Sequence, residues 1–389
     1  MSIWKIPLSD IDYGSEEIAA VERVLRSSWL SMGPEVEAFE AEFAAMQGAR
    51  YAIAVSSATA ALHLSLLATG VSPDDEIIQP ALNFVASANM TVACGARPVF
   101  ADVTSLSEPT IDAAQVAQLI TPRTRAVIAM HYGGNLCRMD ELQALCSEHK
   151  LSLIEDACHA VGATYRSLPG HTAHGRMAGS IGDIGCFSFF ANKNMVTGEG
   201  GMVVTDRDDL AARVRLLRSH GMTSLTWQRH SGHARSYDVV ANGYNYRLDE
   251  IRAALGRVQL AKLECNNQCR QNLLLCYKQA ISALDGWAMP FSECIESSAA
   301  HLMVAVAPTT HTRDQAVERL RTARIQSSLH YPCIADFEAF AQFSSTRLPV
   351  TREFVRRTLT LPLHPCMASR DPDDICAIIG ARTSVAVTL

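Results

Sequence analysis

Leu151-Ser152-Leu153-Ile154-Glu155-Asp156-Ala157-Cys158-His159-Ala160 reads as a short buried strand that ends in two carboxylates and runs into small residues. A brief apolar run bounded in this way is the pattern of a strand covered on both faces. Runs of the same kind recur at residues 51–55, 76–79, 97–101, 125–131, 184–190 and 201–205. Ala- and Leu-rich helical stretches separate the earlier runs, at residues 59–68, 86–93, 113–120 and 139–149. Strands alternating with helices predict an α/β domain around a mostly parallel, seven-stranded sheet flanked by helices.

Outside that block the rhythm is helical. Ile18, Val21, Val24, Leu25 and Trp29 recur at helical spacing, with Ser15 as an expected N-cap and Glu16 and Glu17 in the first turn. Val36, Phe39, Phe43 and Met46 mark a second helix. A long helical pattern runs from near Leu248 to about Leu284. A strand-like segment (301–306), a helix starting near Thr312 and a last helix after Asp371 follow it. The expected division is residues 1–248, an N-terminal segment and large domain, and residues 249–389, a long connecting helix and a smaller C-terminal α/β domain. The stretch 168–185, rich in Gly, Ser and His, joins two strands and is long enough to suggest function.

Composition removes several function classes. Of 389 residues 48% are apolar, enough for a sizeable core, and a net charge of −6 gives no reason to expect a nucleic-acid partner. No apolar run is long enough to span a bilayer, and the first residues carry no signal-peptide stretch, so a cytoplasmic protein with no membrane partner is expected. In that setting twelve cysteines read as reduced thiols. Cys265 and Cys269 could place two thiols on one metal, but no second pair follows at zinc spacing, so they read as helix-surface cysteines and no metal is expected.

Ligands of open α/β sheets bind beyond the carboxyl ends of the strands, and three segments bring polar residues there. Val55-Ser56-Ser57-Ala58-Thr59-Ala60-Ala61-Leu62 passes from strand to helix, so free backbone amides and hydroxyls could cradle a phosphate. The alternative is that Ser57 or Thr59 merely caps its helix. Asp156 ends its strand as an acid able to hold a proton on a ring nitrogen, or to cap a helix or pair with an Arg. Ser188-Phe189-Phe190-Ala191-Asn192-Lys193-Asn194-Met195-Val196-Thr197-Gly198-Glu199-Gly200-Gly201 delivers Lys193 into a loop that doubles back. An amine held in a cleft loses its charge more easily and becomes available for imine chemistry; most loop lysines are simply solvated. The glycines here precede a strand and lack G-x-G-x-x-G spacing, which excludes a dinucleotide fingerprint. Phosphate cradle, acid and lysine in that order point to pyridoxal 5'-phosphate (PLP).

With these segments the chain resembles the DegT/DnrJ/EryC1/StrS family of fold-type-I PLP enzymes, mainly nucleotide-sugar aminotransferases. The likeness extends through Trp29-Leu30-Ser31-Met32-Gly33-Pro34, Gly243-Tyr244-Asn245-Tyr246-Arg247 and Ser328-Leu329-His330-Tyr331-Pro332. The resemblance implies a Schiff base between PLP and Lys193, with Asp156 on the pyridine nitrogen. It implies Ala58, Thr59 and Ser188 around the phosphate, Phe84 stacked on the ring and His159 near the phenolic oxygen. It implies Asn245 on the phosphate of a neighbouring subunit's cofactor, hence a homodimer with shared active sites. Arg247, His330 and Tyr331 would face substrate, and Arg229 or His230 a nucleotide diphosphate. Bland alternatives are an interface salt bridge for Arg247 and a strand end for His330 and Tyr331.

Two positions depart from the family pattern. Ala58 stands where Gly is frequent, and His159 where Gln is frequent, which makes a pH-sensitive cofactor environment an expectation. His171, His174, His230 and His233 could ligate a metal but read better as residues of surface loops. The reading is an aminotransferase moving the amine of L-glutamate to a nucleotide-linked keto-sugar, a 4-keto-6-deoxyhexose, in amino-sugar biosynthesis. Its rivals are a keto-cyclitol aminotransferase with L-glutamine as a possible donor, a PLP-dependent sugar dehydratase and a non-catalytic PLP-binding regulator. Relatives with dehydratase chemistry replace the lysine by histidine, so Lys193 speaks against that rival. The Lys–Asp pair, and the lack of an appended DNA-binding segment, speak against the regulator.

Overall fold

The computed structural model describes residues 3–166, 173–224, 232, 236–343 and 347–381. Strands β1 (Tyr51–Val55), β2 (Glu76–Pro80), β3 (Arg97–Ala101), β4 (Thr124–Met130), β5 (Ser152–Asp156), β6 (Ile184–Ser188) and β7 (Gly201–Thr205) form one sheet. Their order is β1-β7-β6-β5-β4-β2-β3. β7 runs against both its neighbours, and the other pairings are parallel. The carboxyl ends of the remaining strands therefore open on one edge, as the strand–helix alternation predicts.

Side-chain alternation decides what each face carries. Ile53, Val55, Ile154 and Val203 meet α3 (Ala58–Ala68) and α7 (Asp208–Arg218) through Leu62, Leu66 and Val214. Ala52, Ala54, Met202 and Val204 turn the other way, onto Phe39 and Phe43 of α2 (Pro34–Gln47). Helices α4 (Ala86–Ala93), α5 (Ala113–Leu119) and α6 (Met139–His149) complete the cover. At the N-terminus α1 (Ser15–Ser27) is capped by Gly14, whose N–H donates to Glu17 Oε2 at 2.8 Å. Ser15 is thus the first helical residue and not the cap, because Glu17 reaches back to bind the preceding amide.

The expected long helix is α8 (Glu250–Ser282), and Asp249 caps it by accepting from Arg252 N–H. Beyond it β8 (Met303–Val306) and β9 (Thr358–Leu361) pair antiparallel. Helices α9 (Thr310–Thr322), α10 (Pro349–Arg357) and α11 (Asp371–Gly380) follow in this part. Thr309 caps α9, so that helix starts two residues before the expected Thr312. Tyr277, Ile281, Met303, Leu320, Leu361 and Ile375 close a separate core, which also takes in Ile6. The N-terminal strand-like stretch is hydrogen-bonded there: Gln326 N–H donates to Ile6 and Leu363 N–H to Leu8. No described helix is long and apolar enough to cross a membrane.

One close approach positions the edge where the site lies. A Cβ on Gly201, the first residue of β7, would sit 2.6 Å from the carbonyl carbon of Ser57 and 2.8 Å from the Ala58 nitrogen. Both are backbone atoms, so a helix start must move. Gly201→Ala is expected to cost about 1–3 kcal/mol by overpacking and to weaken cofactor retention. Urea midpoints and bound PLP after dialysis check this; an unchanged variant on both counts would refute it.

Candidate active site

Ser57 is extended and its Oγ accepts from Ala60 N–H at 3.1 Å, which makes it the N-cap of α3. The capping alternative therefore holds for Ser57. It does not consume the amides of Ala58 and Thr59, which no helical carbonyl can reach. Both residues line a cavity of about 360 Å³ at the carboxyl edge of the sheet. Asp156, His159, Ser188, Lys193, Phe84, His330 and Tyr331 line it as well. The three segments read from the sequence thus converge on one space.

Alternation separates the two carboxylates that end β5. Glu155 turns to the face away from α3 and is fully buried. It accepts from Gly179 and Ile181 N–H at 2.8 and 2.6 Å and pairs with His131 Nε2 at 2.8 Å. It is committed to holding the chain that enters β6. Asp156 shares the face of Ile154 and lines the cavity, and its Oδ1 accepts from Cys158 N–H at 3.3 Å. Its carboxylate is left with capacity to accept from a ligand.

Lys193 sits in a closed loop. Its N–H donates to Phe190 O at 2.9 Å, and Phe189 N–H donates to Gly200 O. Burial lowers the pKa of the amine, against an opposing pull from the Asp156 carboxylate. Burial also raises the Cys158 thiol well above the usual range, so it stands beside the lysine as a neutral group.

His159 departs from the expected pH sensitivity. Gly133 N–H donates to its Nδ1 at 3.4 Å, which places the proton on Nε2, facing Tyr331 Oη at 2.8 Å. Burial, then Lys193 and His330, hold its pKa well below the ordinary histidine value. The ring is neutral at physiological pH, because an imidazolium in this crowded apolar spot would be desolvated beside other cations. His301, whose ring lies tilted against it with centroids 4.3 Å apart, is depressed by burial in the same way. His330 is lowered to about 4, again chiefly by burial.

These three histidines give a stability prediction. Each folded pKa lies below the unfolded one, so the unfolded chain binds more protons below about pH 6.5. The stability they contribute is present above that value and is lost as pH falls, down to about 4 for His330. Each adds a slope of about 1.4 kcal/mol per pH unit. Urea midpoints should fall steeply from about pH 6.5 to about pH 5; a flat response across that interval would show that the histidines are not buried neutral.

Other positions lie elsewhere. Asn245 is exposed, and Arg247 is half-buried with Nη1 unpartnered and Arg218 as a like-charged neighbour; neither lines the cavity. Arg229, His230, His171 and His233 lie outside the described residues. His174 is an exposed residue of the described chain. Cys265 and Cys269 lie on α8 as surface-helix residues. Several lining residues escaped the sequence reading: Asn83, Cys158, Phe190, Asn192 and Glu199. Three of these stand in the quoted Lys193 loop, but only the fold shows which of its side chains turn inward.

The cavity fits PLP on its own features. Unbonded amides at the start of α3 suit a phosphate. Asn192 lines the cavity with its Oδ1 buried and unpartnered, a polar atom that a ligand would satisfy. Asp156 and Lys193 supply an anion and an amine on the same space.

Comparison with known proteins agrees. The DegT/DnrJ/EryC1/StrS aminotransferase family matches residues 12–380. SpsC, a spore coat polysaccharide biosynthesis protein of Bacillus subtilis (strain 168), is 39% identical over 370 residues, 93% of each chain. PseC of Helicobacter pylori, an aminotransferase involved in pseudoaminic acid biosynthesis, superimposes with a TM-score of 0.87 at 29% identity, over 96% of this chain and 98% of that one. DesI, solved in the presence of its TDP-sugar product, does so with a TM-score of 0.84 at 30% identity, over 97% and 92%. The fold, the cavity and these likenesses together place the chain in the DegT/DnrJ/EryC1/StrS family of PLP-dependent sugar aminotransferases.

Proposed function

We propose that the chain moves an amino group from L-glutamate to a nucleotide-linked keto-sugar, a 4-keto-6-deoxyhexose, for amino-sugar or polysaccharide biosynthesis. The observation that carries this is the convergence of Lys193, Asp156 and the free amides of α3 on one cavity. The TDP-sugar product of DesI and the polysaccharide role of SpsC support a nucleotide-linked acceptor.

In this reading Lys193 holds PLP through a Schiff base, and Asp156 faces the pyridine nitrogen. Ala58, Thr59 and Ser188 hold the phosphate, Phe84 covers the ring and His159 stands near the phenolic oxygen. When bound, the cofactor supplies an electron sink for charge developing on the substrate carbon. Asp156 keeps a proton on the ring nitrogen by opposing its loss with a fixed negative charge. Lys193, once its amine is free, carries a proton between substrate carbon and cofactor in both half-reactions. Neutral His159 donates through Nε2. Tyr331 and His330 meet the substrate, with Arg247, Arg229 and His230 as further substrate contacts. Asn245 reaches a second copy of the chain, so the working unit is a homodimer.

The test is a visible spectrum of the purified protein, followed by L-glutamate without acceptor. A yellow imine band that bleaches supports the donor half-reaction. Nucleotide-linked keto-sugars are then screened beside keto-cyclitols. Turnover of a cyclitol alone would replace the sugar assignment, and a band indifferent to glutamate would remove glutamate as donor.

A further inference from the structure

Outside the cavity, the turn after β9 carries His364 and Cys366, and the N-terminal segment carries Asp10. An imidazole nitrogen, the Sγ and a carboxylate oxygen of these residues all lie within 4.8 Å of one another. His364 is 3% exposed, and neither ring nitrogen has a hydrogen-bond partner. The Pro7 carbonyl acts on the ring but falls short of hydrogen-bond geometry. A buried imidazole with both nitrogens idle gives up the hydrogen bonds it makes in water and needs an explanation. Burial lowers the pKa of the ring, with Arg270 acting in the same direction and Asp10 and Asp371 against it. Asp10 and Asp12 likewise face Cys366, again with Arg270 opposed. Negative groups outnumber the one guanidinium.

We propose that Asp10, His364 and Cys366 bind a single borderline-soft divalent ion, Zn²⁺ in the first place, with solvent at the fourth position. One oxygen, one nitrogen and one sulfur donor suit that ion and not Mg²⁺ or Ca²⁺, which take oxygen ligands. The Pro7 carbonyl is the natural acceptor for the N–H of a ligating imidazole. Asp10 and Cys366 are exposed, so the ion enters directly from solvent. The site ties the N-terminal segment to the turn after β9. That strand holds the cavity wall, because Thr360 Oγ1 lies 3.0 Å from His330 Nδ1. Linear spacing conceals the set, since its third ligand comes from the other end of the chain.

The test uses tag-free holoenzyme cleared of metal by a chelator and titrated with Co²⁺, whose visible d–d bands avoid those of the cofactor. One equivalent per chain with intense tetrahedral bands is expected. Asp10→Ala and Cys366→Ala, both exposed positions, should each weaken binding about 10-fold or more. Zn²⁺ should raise the Tm of the wild type and of Cys265→Ser/Cys269→Ser, and leave the two ligand variants unmoved. No bound ion, equal binding in the ligand variants, or binding lost with Cys265 and Cys269 overturns the site.

Discussion

Lys193→Ala is expected to lower kcat for amino transfer by about 10⁴-fold or more, with the protein folded and PLP still bound without its imine band. The size follows from two losses at one atom. In the proposed mechanism the amine anchors the cofactor and is also the base, one whose pKa burial lowers. A 10⁴-fold loss corresponds to about 5.5 kcal/mol of barrier. Stability should not fall in step, because truncation relieves the desolvation of the buried amine, which offsets the positive charge lost beside Asp156. The measurement is single-turnover kinetics with glutamate, beside a urea midpoint. An added small amine should restore part of the rate, since the missing function is proton transfer at a fixed place. A variant within tenfold of wild type would remove Lys193 from the centre of the reaction.

The sheet was legible because its strands announce themselves. Buried parallel strands are short apolar runs, and all the runs read from the sequence became strands of one sheet. Termini were read less well, because caps depend on single hydrogen bonds. Glu17 reaches the Gly14 amide, and Thr309 holds the Thr312 amide. At the site, Asp156 and Lys193 could be seen because Asp156 ends a strand and Lys193 follows one, each with a signal of its own. Asn192, Cys158 and Phe190 could not, because loop direction has no period. The protonation of His159 was misread for a related reason. A histidine's ordinary pKa is a property of solvent, whereas this ring is set by Gly133 N–H, by burial and by Lys193.

Asp156→Asn should lower kcat by about 10²–10³-fold, the usual size for removing one preorganised electrostatic partner. The change keeps the shape of the side chain, and the fold has little to lose. The carboxylate's hydrogen bond from Cys158 N–H, at 3.3 Å, is one that an amide oxygen can also accept. What vanishes is the charge. Without it a proton on the ring nitrogen is no longer held, and carbanion formation loses its stabilisation while substrate binding is spared. The loss should therefore fall on kcat and leave KM within a few-fold. A second consequence fixes the cause. Asp156 raises the pKa of Lys193, so its neutralisation lowers that pKa further. In the half-reaction where the amine is free, the acidic limb of the pH–rate profile should move to lower pH. Asp156→Glu, which restores the charge at a slightly different reach, should recover part of the rate. If Asp156→Asn matched the wild type, or if its loss lay wholly in KM, the carboxylate would be a binding contact and the ring nitrogen would need another partner.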